Sequence, residues 1–217
     1  MSRTAAPKAI APPWGDDAQR LGGGMNVGAE IAAMAARLVV DEGLDYAAAK
    51  RKAARDFGGR PELPRNEELE AAVREHIQLF CAETQATELQ ALREVAQLWM
   101  ARLADFRPHL SGAVWRGTAT RLSSVHLDLY CDDPKAAILA VINGGAPYDV
   151  GSLEQPGREP LTVLTLSSAS RALGEQVTVH LLLHDADDQR GALKPDAQGR
   201  SWRGNLAAVQ RLLAGSA

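Results

Sequence analysis

From Asn26 the apolar residues Ile31, Met34 and Leu38 recur at spacings of three and four, the period of a helix with one buried side, and Gly43 supplies a stop just past Glu42. Asp45 is placed to cap a second helix, "YAAAKRKAARDF", which Gly58 and Gly59 end. After a loop containing Pro61 and Pro64, Asn66 is the predicted cap of a third helix. Its apolar side holds Leu69, Val73, Ile77 and Phe80, and Glu67 and Glu68 favour its N-terminal dipole. Thr87 and Gln90 have the spacing of a capping box for a fourth helix carrying Leu92, Val95, Leu98, Trp99 and Leu103.

Beyond Pro108 the period changes. In "SVHLDLYC" the residues Val125, Leu127 and Leu129 alternate with Ser124, His126 and Asp128, and "LTVLTLSS" and "QVTVHLLLHD" are strand-like as well. Between them "DPKAAILAVIN" predicts a helix with Pro134 in its first turn, and "NLAAVQRLLA" a closing helix. The reading is α+β: a tail over 1–24, a helical region over 25–86, and an α+β unit over 87–217 with a small mixed sheet and flanking helices. The tail is proline- and glycine-rich, with little to anchor a packed element.

Composition narrows the function classes. A chain of 217 residues with 46% hydrophobic side chains can bury a sizeable core, and its formal charge of −3 gives no global pull toward nucleic acid or anionic membrane. The two cysteines, Cys81 and Cys131, lie far apart in apolar runs, which suits free thiols in a reducing, cytoplasmic setting and excludes a zinc site built on cysteines. No apolar run has membrane-span length, so no membrane partner is expected.

The stretch "SGAVWRGTATRLSSVHLDLY", residues 111–130, places Gly112 and Gly117 before a strand that is preceded by Ser123 and followed by the turn "CDDP". This order resembles the polymerase-beta-type nucleotidyltransferase superfamily, particularly its minimal members, whose motif runs G-S, G, then S-D-x-D on a strand. The resemblance covers residues 88–150 and implies a nucleotidyltransferase-like sheet, a nucleotide partner and paired acids that hold a divalent metal, usually magnesium, against a triphosphate. This sequence departs from the pattern at those acids: Ser124 and His126 stand at the two acid positions, Ala113 replaces the serine after the first glycine, and His180 falls where a later strand supplies a third acid. Imidazole is a poor magnesium ligand, so the resemblance implies a degenerate, altered or inactive site, with Ser124, His126 and their neighbour Asp128 at the former catalytic positions.

Gly112, Arg116, Gly117, Arg121 and Ser123 are candidates for holding a nucleotide or phosphate, the arginines through charge-assisted hydrogen bonds. Strand parity puts Ser124, His126 and Asp128 on one face, and Thr178, His180 and His184 on another. If those strands are neighbours, His126, His180 and Asp128, joined by His184, suit a zinc-type metal and an active transferase with a non-standard metal set. The rival is polar strand surface whose histidines are satisfied locally.

The loop "HDADDQRGALKPDAQGRSWRG" departs from an EF-hand, but its arginines would meet a phosphate if it folded over the cleft. Lys50, Arg51, Lys52, Arg55 and Arg60 form a small basic cluster in the helical region, the basis of a third reading: a nucleic-acid or protein interaction module with a structural α+β half. A solvated basic face is the simpler account in an acidic chain, so a protein partner is favoured over nucleic acid there. The G-x-x-x-x-G-K-[ST] loop that a muramate–alanine ligase needs is absent, as is a G-x-S-x-G elbow.

Overall fold

The computed structural model describes residues 27–58, 61–155, 157–196 and 199–215; the tail assigned to 1–24, Gly59 and Arg60 lie outside the described residues. Three helices form the first core: α1 (Val27–Glu42), α2 (Tyr46–Ala54) and α3 (Asn66–Phe80). Ile31, Ala35, Ala36 and Val39 of α1 pack on Ala49 and Ala53 of α2 and on Leu69, Val73 and Ile77 of α3. Alanines at the contacts let the helix axes approach closely. This also explains a departure from the predicted stripe: with the buried side centred on Ala35, Ala36 and Val39, Met34 turns outward and is 37% exposed.

The local signals were only partly placed. Asp45 does cap α2, its Oδ1 accepting from the Ala48 N–H at 2.8 Å. Asn66, the predicted cap of α3, is instead its first residue: Arg65 takes the cap position, its N–H donating to Glu68 at 2.7 Å. The Asn66 side chain accepts from Lys50 Nζ at 2.8 Å. Phe80 ends α3 on the outside, 72% exposed and against the His76 ring.

The fourth helix, α4 (Gln85–Arg102), starts earlier than the Thr87–Gln90 pairing predicts, with Thr84 at the cap position. Gln90 reaches forward to Glu94 at 3.3 Å instead of back to Thr87. Gln85, from the first turn of α4, donates to the carbonyls of Gly117 and Ala119, tying the helix to the loop before the central strand. Leu98, predicted on the apolar side, is 42% exposed, because Leu92, Val95, Ala96, Trp99 and Met100 carry the buried side.

The α+β unit continues through β1 (His109–Ser111), α5 (Gly112–Arg116), β2 (Val125–Cys131), α6 (Pro134–Asn143), β3 (Tyr148–Leu153), β4 (Leu161–Ser170), β5 (Glu175–Asp185), α7 (Gln189–Ala192), β6 (Gly204–Asn205) and α8 (Leu206–Ala214). Asp133 and Asn205 cap α6 and α8 with their side chains, and Pro134 opens α6. The strands form one mixed sheet in the order β3-β4-β5-β2-β1-β6, in which only β2 and β5, at its centre, run parallel. The fold is thus α+β, with a six-stranded mixed sheet and flanking helices.

Leu127, Leu129, Val179, Leu181 and Leu164 face a second core that α4, α6 and α8 cover through Leu92, Met100, Val141 and Val209. Alternation therefore sends His126, Asp128 and Tyr130 of β2, and His180, Leu182 and His184 of β5, to the opposite face. Among the described residues, no helix is long and apolar enough to cross a membrane.

Candidate functional site

The polar face of the sheet gathers four of the chain's five histidines. The parallel register sets His126 beside His180 and Tyr130 beside His184, and the antiparallel partner β1 sets His109 opposite Asp128 and Ser111 opposite His126. Two sub-clusters result.

At the first, the rings of His126 and His180 stand with centroids 5.0 Å apart. His180 Nδ1 shares a 3.0 Å hydrogen bond with the Thr165 hydroxyl from the neighbouring β4. The Ser124 carbonyl, just before β2, holds the His126 ring. Gly112 lies beside that ring in a left-handed conformation, φ +69°, where a Cβ would come within 3.5 Å of His126 Nδ1. Burial, then the neighbouring His180, lowers the pKa of His126, and burial lowers that of His180, so both imidazoles favour the neutral form. Asp45, at the turn between α1 and α2, is near enough to oppose this for His126, which places the helical unit at the rim of the site.

The second sub-cluster centres on Asp128, which is 1% exposed. Its Oδ1 accepts from His184 Nε2 at 2.7 Å, and its Oδ2 from Arg203 Nε at 2.8 Å. Burial by itself raises the carboxyl pKa, but the His184 hydrogen bond, the Arg203 charge and a hydrogen bond from Ser111 together hold it below the usual carboxylate range. Tyr130 stacks on His184 with centroids 5.1 Å apart and receives the edge of His109 at 5.5 Å. Burial pushes the Tyr130 phenol up to about 12, and burial lowers His109, whose Nδ1 bonds the Arg107 carbonyl at 2.9 Å. Arg203 arrives from the segment after α7 and is anchored by a 3.2 Å bond from its Nη1 to the Ala192 carbonyl. The loop whose arginines were candidates for meeting phosphate thus delivers one of them to a carboxylate.

The other nominated phosphate ligands are dispersed. Arg116 turns to the helical unit, pairing with Glu70 at 3.3 Å and lying over the Tyr46 ring. Gly117 ends α5 at φ +78° beside Arg93 and Leu89. Ser123 closes its own turn, its Oγ accepting from the Thr120 N–H at 3.1 Å, and Arg121 is exposed, with its backbone N–H on Glu88. Of the five, Gly112 lies against His126. In the basic cluster of α2, Lys50 and Lys52 are engaged by Asn66 and Glu42.

The residues present do not fit a magnesium site. Magnesium requires oxygen ligands in near-octahedral array, whereas β2 and β5 offer neutral imidazoles and one carboxylate already committed to a guanidinium. Among the described residues no three His, Cys, Asp or Glu side chains are grouped so as to hold any metal ion. Sequence reasoning placed His126, His180, Asp128 and His184 on facing strand sides; it missed Arg203 as the partner of Asp128, since no periodic signal links residues 75 apart.

No family model and no curated protein matches this chain. Two solved structures are similar to part of it. The Cid1 poly(U) polymerase with MgGTP bound shares 15% identity at a TM-score of 0.33, over 46% of this chain and 32% of that one. Cid1 in complex with the UTP analog UMPNPP shares 15% identity at 0.32, over 51% and 36%. The chain thus spans about a third of the length of the solved chains it resembles, and likenesses at this level carry no argument about its function.

Proposed function

We propose that this chain is a nucleotidyltransferase-like protein, altered at its acid positions, that binds a nucleotide or another phosphate-bearing small molecule without performing metal-dependent transfer. The observation that carries the reading is the saturation of Asp128. Both carboxylate oxygens are taken, one by a permanent cation, so a divalent ion gains little from the one acid that β1, β2 and β5 direct to this face. The motif order Gly112, Gly117, Ser123 and "VHLDLY" supports the nucleotidyltransferase-like part of the reading.

The ligand is assigned to the His126–His180 end, next to Gly112 and under the Asp45 turn. Neutral imidazoles there donate N–H groups to phosphate oxygens, from two rings that stand 5.0 Å apart beside Gly112. In this account Asp128 is a positioning residue: it holds Arg203 and orients His184.

Pyrophosphate release from each common ribonucleoside triphosphate, with magnesium or manganese and with RNA or water as acceptor, tests the catalytic part. The reading predicts no turnover above that of Asp128→Asn. Turnover that Asp128→Asn abolishes contradicts it.

A second reading is favoured by one observation: His126 and His180 are each oriented by an outer hydrogen bond, to Ser124 and Thr165, as metal-ligating imidazoles are. It makes them a two-histidine transition-metal site, of zinc type, without Asp128. Zinc added to chelator-stripped protein then raises the melting temperature, and His180→Gln removes that rise; no stoichiometric zinc binding removes the reading.

A further inference from the structure

At the C-terminal end of α5, the helical unit and the C-terminal segment form an open pocket of about 230 Å³ lined by Glu70, Arg74, Trp115, Arg116, Arg200 and Trp202. The Arg116 guanidinium lies between two rings, 5.1 Å from the centroid of Tyr46 and 5.5 Å from that of Trp202, and Arg200 covers Trp202 at 5.7 Å. The Trp115 indole N–H is fixed on the Ser201 carbonyl at 2.8 Å, so the wall is held in place. Charge in the cavity is unbalanced: Arg74 and Arg116 share the single carboxylate of Glu70, at 2.8 and 3.3 Å. Arg116 Nε is buried and has no hydrogen-bond partner among the described residues. A buried cationic donor left unpaired is costly, which marks the place where an external acceptor gains most.

We infer that this cavity is a binding site for a small anion carrying a flat ring, the anionic group on Arg74 and Arg116 and the ring against Trp202 and Trp115. A pocket of this size falls just below the usual range of about 300–1,000 Å³ for organic ligands, which limits the ligand to a single ring system with one phosphate or carboxylate. Indole faces stack with planar rings, and paired guanidiniums select phosphate or carboxylate oxygens. The site is independent of the polar sheet face: it shares none of His126, His180 and Asp128, and it stands whether or not that face binds a phosphate.

The test is tryptophan fluorescence and calorimetry on the full chain, titrated with a nucleoside 5′-monophosphate, the unphosphorylated nucleoside, ribose 5-phosphate and benzoate. The inference predicts saturable quenching by the monophosphate, with affinity at least about tenfold above that of the nucleoside or the ring-free phosphate, and a similar loss in Trp202→Leu and in Arg74→Gln. Benzoate binding as tightly as the monophosphate identifies a ring carboxylate as the ligand type. If Trp202→Leu lowers the melting temperature, Arg74→Gln, at a half-exposed position, decides the matter. Equal or unsaturable binding of all four probes overturns the inference. So does monophosphate binding that survives both variants and is lost in His126→Gln, a result that would place the ligand on the sheet face instead.

Discussion

Arg203 lies 75 residues from Asp128 along the chain, yet its Nε donates to Asp128 Oδ2 at 2.8 Å, while His184 holds the other oxygen at 2.7 Å. The centre of the polar sheet face is therefore a closed, internally neutralised carboxylate. Arg203 is also tied to the Ala192 carbonyl, so its ion pair with the buried Asp128 fastens the C-terminal part of the chain onto the sheet.

Asparagine at position 128 removes the charge and sets an NH2 donor against either Arg203 Nε or His184 Nε2 in a largely buried place. Asp128→Asn is expected to cost roughly 3 kcal/mol, the lower end for breaking a buried pair, because Arg203 keeps 26% exposure. Arg203→Ala is expected to cost less, about 2 kcal/mol, since Asp128 retains His184. Denaturant melts of both variants check the order; equal or reversed losses would show that the pair is not what anchors the segment.

The titrating groups give stability two acid-side slopes. His126, His180 and His109 have folded pKa values lowered by burial, so between those values and the unfolded value of about 6.5 the unfolded chain binds more protons. Stability therefore rises with pH through that window and falls as pH drops below about 6.5. Asp128 acts lower: its depressed folded pKa contributes stability that is present above about 3.9 and is lost as pH falls through the folded value. Unfolding free energies across pH 4–8 should show the upper slope, reduced in His126→Gln/His180→Gln; a profile that the double variant leaves unchanged would contradict the assignment.

Two glycines should respond very differently to alanine. A Cβ on Gly204 would lie inside the Trp115 indole, where β6 passes the last turn of α5. Gly204→Ala is expected to cost about 3 kcal/mol or more by overpacking and to release the Trp115–Ser201 bond. At Gly112 the space is ordinary, and the cost is the left-handed backbone, about 1–2 kcal/mol. Thermal melts rank the two; a larger loss at Gly112 would mean that its contact with His126 is tighter than the geometry indicates.

Much of this arrangement was legible in the sequence, and the gaps have physical causes. Alternation identified β2, β4 and β5 because each is long and has one face in the core, and Asp45 and Pro134 marked helix starts through their own chemistry. The edge strands β3 and β6 were missed: β3 is almost entirely exposed and β6 has two residues, so neither carries an alternating burial signal. Met34 and Phe80 are apolar yet exposed, because small alanines such as Ala35, Ala36, Ala49 and Ala53 set the helix contacts. Parity placed His126 and His180 on corresponding faces, but it cannot say which cation meets Asp128. Nor can it show that Arg116 and Arg121 point away from the sheet face, because an arginine's destination is fixed by tertiary packing.

The most direct test of the account is calorimetric titration of nucleoside triphosphates into chelator-stripped protein, in EDTA and in magnesium, with His126→Gln/His180→Gln alongside. The account predicts binding of similar affinity in both buffers, weakened by about tenfold or more in the double variant. Binding that appears only with magnesium and disappears in Asp128→Asn would contradict it, because it would mean that Arg203 gives way and the carboxylate still serves a metal.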